Sequence, residues 1–202
     1  MVAPSKFAHV VYNTCRYEEM IAWYERVFEA QIQHGNDRLT FLTYDDEHHR
    51  FAFVNLGPGE PDEKDNQPGG VGVNHLAYTW NGVGELVDTY KRLKSYGYKP
   101  YRPIRHGLTL SMYYRDPDGN QLEFQTDLIT ADDANDFMRS DAFEKNPIGE
   151  PFDPEELVAR YDSGETVDDL IFRSDQPESS GSAYHRNDIA AECLAARFIV
   201  LC

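Results

Sequence analysis

The chain has 202 residues and a formal charge of −16, with 13 Tyr, 11 Phe and 2 Trp among them. That length suits one domain, or one domain with an appendage, and it is enough to bury a core. No basic stripe is present, which argues against a nucleic-acid ligand.

The charge is unevenly spread. Residues 1 to 126 carry 17 acids against 13 Lys and Arg, whereas residues 127 to 178 carry 16 acids against 4. The three cysteines, Cys15, Cys193 and Cys202, show no CxxC spacing and no even disulfide framework, so a reducing cytoplasm is the expected compartment. No apolar leader opens the chain, and no apolar run reaches the length that spans a membrane.

FAHVVYN, residues 7 to 13, alternates as a strand with Phe7, His9 and Val11 on one face. Met20, Trp23, Tyr24, Val27 and Phe28 then form one helical apolar stripe, with Glu18 and Glu19 in its first turn. Residues 30 to 33, 38 to 44 and 50 to 56 read as three short strands. Asn36-Asp37 breaks the first pair and the DDEHH run the second. Residues 57 to 70 have the composition of a linker.

The pattern then restarts. Residues 73 to 80, VNHLAYTW, form another strand with a central His, and Val83, Leu86, Val87, Tyr90 and Leu93 mark a second helix that Gly97 closes. Strands follow at 98 to 103, 108 to 114 and 121 to 126. His9 and His75 open the two halves 66 residues apart. A repeated βαβββ unit is therefore the organising feature. Each unit alone would leave one sheet face bare; two paired units would enclose a cavity. The fold class expected is α+β, with paired βαβββ modules around a metal site.

Residues 104 to 124 carry the chemistry. Leu110, Met112 and Tyr114 alternate with Ser111 and Tyr113, the DPDG of residues 116 to 119 makes a turn, and Glu123 sits between Leu122 and Phe124. In an isolated hairpin the Tyr113 and Glu123 face would be wet. A His in each opening strand and a Glu in the final strand make a set of two imidazoles and one carboxylate: His9, His75 and Glu123. That set suits a non-haem Fe(II) centre with open positions, and Mn(II) fits it equally. The fourth strand of the first half, RFAFVNL, offers no acid for a fourth ligand.

Residues 5 to about 128 resemble the vicinal oxygen chelate superfamily, and within it the single-module type I extradiol catechol dioxygenases. The sharpest piece is His106, five residues, Met112-Tyr113, then Asp116-Pro117-x-Gly119, then Glu123. A second is His48-His49 in the run HHRFA, where the family's larger members place an acid–base His; this maps onto His49. The resemblance implies metal ligands at His9, His75 and Glu123, and active-site groups at His49, His106 and Tyr113. It also implies Fe(II) as cofactor, O₂ as co-substrate and a small aromatic diol as substrate. Phe7, Phe51 and Trp80 offer rings for a pocket. A glyoxalase-type metal-dependent isomerase or lyase and a metal-free binding protein are the other readings. The first would need the missing fourth ligand, and the second would tend to lose all three.

The expected organisation is a core over 1 to 128, with halves at about 5 to 57 and 71 to 128. An acidic arm with a short helix follows over 129 to 173, then a disordered tail over 174 to 202. Asp153 caps that helix, with Pro154, Glu155 and Glu156 in its first turn, Leu157, Val158 and Tyr161 to dock it and Gly164 to end it. The arm would wrap the core or a partner subunit of a homo-oligomer.

Overall fold

A computed structural model describes residues 2–59 and 71–171. Most of the 57–70 linker and the 174–202 tail therefore lie outside the described residues. The described residues form two compact units. One holds those within Met1–Leu76 and Arg115–Leu122; the other holds those within Ala77–Tyr114 and from Glu123 on.

The first βαβββ module runs β1 (Val10–Thr14), α1 (Tyr17–Phe28), β2 (Gln31–Gly35), β3 (Leu39–Thr43) and β4 (Phe51–Asn55). Its sheet has the order β1-β4-β3-β2, with β1 and β4 parallel and the other pairs antiparallel. The helix buries Met20, Trp23, Tyr24 and Val27, four of the five residues of the predicted stripe. Each such side chain contributes roughly 1.5–3 kcal/mol. Tyr24 is the keystone: its ring meets Phe51 and Phe53 of β4 edge-on at 4.6 and 4.9 Å.

The second module repeats the order: β5 (Leu76–Thr79), α2 (Val83–Ser95), β6 (Arg102–Arg105), β7 (Thr109–Arg115) and β8 (Gln121–Asp127). Its sheet runs β5-β8-β7-β6 and continues into a fifth strand, β9 (Glu150–Pro151). Gly97, with φ +85°, sits just past the end of α2. There Tyr98 N–H returns to Leu93 O and Gly97 N–H to Lys94 O, the paired bonds of a Schellman close. This turn and the bend after it use up residues 98 to 101, so the strand expected there starts only at Arg102.

Both opening strands are shorter than their alternation suggests. β1 begins at Val10 and β5 at Leu76, leaving His9 and His75 each one residue ahead of its strand. The ladder explains the first case. Val10 N–H donates to Arg50 O, the residue before β4 begins, and β4 itself has nothing to offer upstream.

The acidic region is more ordered than one short helix. It forms α3 (Ala131–Phe137), α4 (Asp141–Lys145), β9, α5 (Pro154–Asp162) and α6 (Val167–Ile171). Asp153 caps α5 by accepting from Glu155 N–H, with Pro154 in its first turn and Leu157 buried. The region packs on its own unit. Tyr90 of α2 donates to Glu155 at 2.5 Å, and Lys91 and Lys94 pair with Asp162 and Glu155. Among the described residues, no helix is long and apolar enough to cross a membrane.

Candidate active site

In the first unit, one loop carries His48 and His49, and His9 and His75 each stand one residue ahead of a strand. The loop between β3 and β4 is tied internally. Thr43 Oγ1 donates to Glu47 O at 2.8 Å, and Glu47 N–H donates to Asp45 Oδ1 at 3.1 Å. This presents His48 and His49 side by side, their Nδ1 atoms 2.6 Å apart. His48 is largely exposed, and its Nε2 lies 3.5 Å from a Glu47 oxygen. A proton on that Nε2 leaves His48 Nδ1 to accept from His49 Nδ1–H. The Nε2 of His49 is then bare, the form a proton acceptor needs.

The His49 ring lies against His9, centroids 4.4 Å apart, and meets Phe41 edge-on at 4.8 Å. Burial pushes the His49 pKa down, and the neighbouring His9 and His48 push it further the same way. The imidazole is thus neutral, and able to take a proton, through the physiological range.

Arg50 fixes this group. Its guanidinium donates to Phe7 O and Ala8 O at 2.7 and 3.1 Å, and Asp45 holds it from the other side at 2.9 and 3.1 Å. With its own carbonyl on Val10 N–H, Arg50 brackets His9 on both flanks. His75 is held in a matching way. Gln121, the first residue of β8, donates its side-chain amide to Asn74 O at 3.0 Å, and Asn74 Oδ1 lies 2.7 Å from His75 Nδ1. In both modules a side chain at the start of the last strand grips the carbonyls just ahead of the histidine. Neither Arg50 nor Gln121 was singled out in the sequence. The one signal was their position at the two matched strand starts.

In the second unit, His106, Tyr113 and Glu123 come together. The face that would be wet in a lone hairpin is closed here. Tyr113 is 7% exposed, Glu123 6% and Ser111 fully buried. His106 Nε2 lies 3.0 Å from the Tyr113 hydroxyl and 3.6 Å from Glu123 Oε1. Burial raises the Tyr113 pKa, and the Glu123 charge and hydrogen bond raise it further, so the phenol keeps its proton. A carboxylate only accepts. The phenol therefore donates to Glu123, and its oxygen is left to accept from His106 Nε2–H.

The DPDG turn supplies a buried acid, Asp116, that the sequence marks only as a turn residue. Asp116 accepts from the backbone N–H of Asp118 and of Asn120, from the Asn120 amide and from Tyr24 of α1. Of the three rings offered for a pocket, Phe51 belongs elsewhere: it is 1% exposed and packs beneath α1. Phe7 is exposed and Trp80 rests on Phe124 at 4.6 Å.

The structure thus joins His9 to His49, and His106 to Tyr113 and Glu123. Among the described residues no three His, Cys, Asp or Glu side chains are gathered at metal-ligand spacing. In kind, the predicted donors, two imidazoles and a buried carboxylate, suit a first-row divalent ion. On β4, Ala52 lies between the buried Phe51 and Phe53 as Glu123 lies between Leu122 and Phe124 on β8. The place where a fourth carboxylate would stand by symmetry is a methyl group.

Comparison with known proteins agrees with this architecture. Residues 6–124 match the family described as Glyoxalase/Bleomycin resistance protein/Dioxygenase superfamily. Biphenyl-2,3-diol 1,2-dioxygenase 2 of Rhodococcus globerulus is 44% identical over 169 residues, covering 83% of this chain and 87% of that protein. Biphenyl-2,3-diol 1,2-dioxygenase 3 of the same organism is 36% identical over 175 residues, covering 86% and 91%. A solved lactoylglutathione lyase from Agrobacterium tumefaciens is 17% identical, covers 61% of this chain and 94% of its own, and aligns with a TM-score of 0.47. The chain belongs to the glyoxalase/bleomycin resistance protein/dioxygenase superfamily.

Proposed function

We propose that this protein is an extradiol dioxygenase that cleaves the ring of an aromatic diol beside its hydroxyls. The observation that carries the reading is the 44% identity, over most of both chains, to a protein named as a biphenyl-2,3-diol dioxygenase. His9, His75 and Glu123 would hold the metal, Fe(II) or Mn(II). When bound, such an ion would supply Lewis acidity toward the diol hydroxyls and redox chemistry for O₂.

The remaining steps belong to the chain's own side chains. A diol that binds as its anion must shed a proton. His49 takes it, because burial and two neighbouring imidazoles hold its pKa down and favour the neutral ring. The protonated His49 then returns that proton to an oxygen of the ring-opened product, so the cycle neither gains nor loses one. His106 and Tyr113 act as fixed donors that orient the substrate oxygens, and the Tyr113 phenol stays protonated throughout. Phe41, edge-on to His49, shields that ring from water.

The glyoxalase-type alternative is disfavoured by Ala52 at the position where a fourth ligand would be expected. The deciding experiment is anaerobic loading with Fe(II), followed by oxygen uptake and visible spectra with catechol and 2,3-dihydroxybiphenyl. Uptake with a yellow ring-fission product is expected. One iron per chain without uptake on any diol would overturn the extradiol reading in favour of isomerase chemistry. Failure to take up any metal would favour a binding protein.

A further inference from the structure

Besides docking on α2, the acidic region after residue 128 closes on the end of β6 immediately before His106. β9 pairs with β6 there, Ile104 opposite Pro151 and Arg105 opposite Glu150. Gly149, with φ +82°, lies so close that a Cβ would stand 2.0 Å from Arg105 O and 2.8 Å from the Cα of His106. Both obstacles are backbone, so neither can rotate away. Asn146 Oδ1 accepts from Gly149 N–H at 2.9 Å and fixes the approach. Farther along, the Arg105 guanidinium donates to the carbonyls of Leu170 and Ile171 at the end of α6, where Leu170 is 1% exposed. The region therefore grips Arg105 twice, at its backbone through Gly149 and β9 and at its side chain through α6. The next residue carries the imidazole that meets Tyr113.

We propose that this C-terminal arm is a positioning element for His106: Gly149 and Arg105 set the backbone from which the imidazole reaches Tyr113 and Glu123. The role given to His106 at the substrate rests on the extradiol reading; the positioning itself does not. A side chain at residue 149 must open this contact by an ångström or more, and where β6 gives way the His106 Cα moves with it. A misplacement of that size in a group that orients a reacting substrate costs about 10²-fold in rate.

The test uses the full chain with Gly149→Ala, Arg105→Met and Arg105→Lys. In metal-free protein, the through-space NMR contact between the His106 and Tyr113 rings reports the positioning directly. Exchange of the Phe152 amide, which donates to Pro103 O, reports whether the arm has loosened. After Fe(II) loading, kcat and KM are measured with 2,3-dihydroxybiphenyl.

Gly149→Ala should lose the ring contact and drop kcat by about 10²-fold with KM changed by no more than about twofold. Arg105→Met should do the same to a smaller degree, and Arg105→Lys, which keeps one donor, should recover part of it. If Gly149→Ala does not fold, Arg105→Met carries the decision. Faster exchange at Phe152 with the ring contact and kcat both unchanged would overturn the proposal and leave the arm a purely structural cover. If the wild-type chain turns over no diol, the extradiol reading fails, and the ring contact still decides the arm's role.

Discussion

The imidazoles of His9 and His49 lie against one another with centroids 4.4 Å apart and planes tilted by 33°. Burial disfavours charge on His49, and the neighbouring His9 and His48 disfavour it further. The contact therefore keeps the His49 imidazole in the form needed to accept a proton, beside a histidine proposed as a metal ligand.

His49→Gln should separate those roles. Glutamine keeps a polar group of similar reach but titrates nowhere near neutrality. Iron content should stay at the wild-type level while turnover falls by roughly 10²–10⁴, the span of an acid–base group. Full activity in the variant would remove His49 from the mechanism, and lost iron would make it a ligand instead.

Arg50→Met should act at one remove. It deletes the bonds to Phe7 O and Ala8 O and leaves Asp45 without its guanidinium partner, while His9 and His49 remain. Groups that orient a metal ligand typically contribute 10–100-fold to affinity. Calorimetric titration of the metal-free protein with Mn(II) should show a loss in that range, and Arg50→Lys a smaller one. Wild-type affinity in Arg50→Met would mean that the strand start is held well enough by its ladder alone.

Much of this was legible in the sequence because periodicity reports burial. The stripes of α1 and α2 are legible nearly residue for residue, and the matched His9 and His75 mark the repeat. What could not be read was what depends on tertiary neighbours. Alternation around Tyr113 says which residues share a face, and not that both faces of β7 are buried. Asp116 looks like any turn acid until Tyr24, 92 residues away in sequence, donates to it. The acidic composition of 127 to 178 suggested an arm with one short helix. Capping by Thr130, Ser140 and Asp153, together with docking on α2 and β6, orders four.

Asp116 gives a pH signature. Burial lifts its pKa from 3.8 to about 6, against four hydrogen bonds that favour the ionised form. An acid whose pKa is higher folded than unfolded binds more protons when folded, so its contribution to stability falls as pH rises from about 4 to about 6 and is flat above that. That shift corresponds to on the order of 3 kcal/mol. Asp116→Asn removes that titration, so its stability relative to wild type should rise by about that amount between pH 4 and pH 7. Urea unfolding of both proteins across this range measures it. A parallel pair of curves would show that Asp116 titrates at its ordinary pKa in the folded chain.

Glu123 is both a predicted ligand and the acceptor for Tyr113, and two substitutions divide the roles. Glu123→Ala removes the negative charge, the donor oxygen and the Tyr113 partner together. Glu123→Gln keeps an oxygen for Tyr113 and a side chain of the same shape, but loses the charge that a divalent ion requires of a mixed imidazole and carboxylate set. Both variants should therefore fail to retain iron, while Glu123→Gln unfolds within about 1 kcal/mol of wild type because its buried hydrogen bond survives. Glu123→Ala should be the less stable of the two, by about 1–3 kcal/mol for the phenol left without its acceptor. Iron bound at wild-type stoichiometry in either variant would show that the ion sits elsewhere, and Glu123 would then be a structural acid that holds Tyr113 and His106 in place.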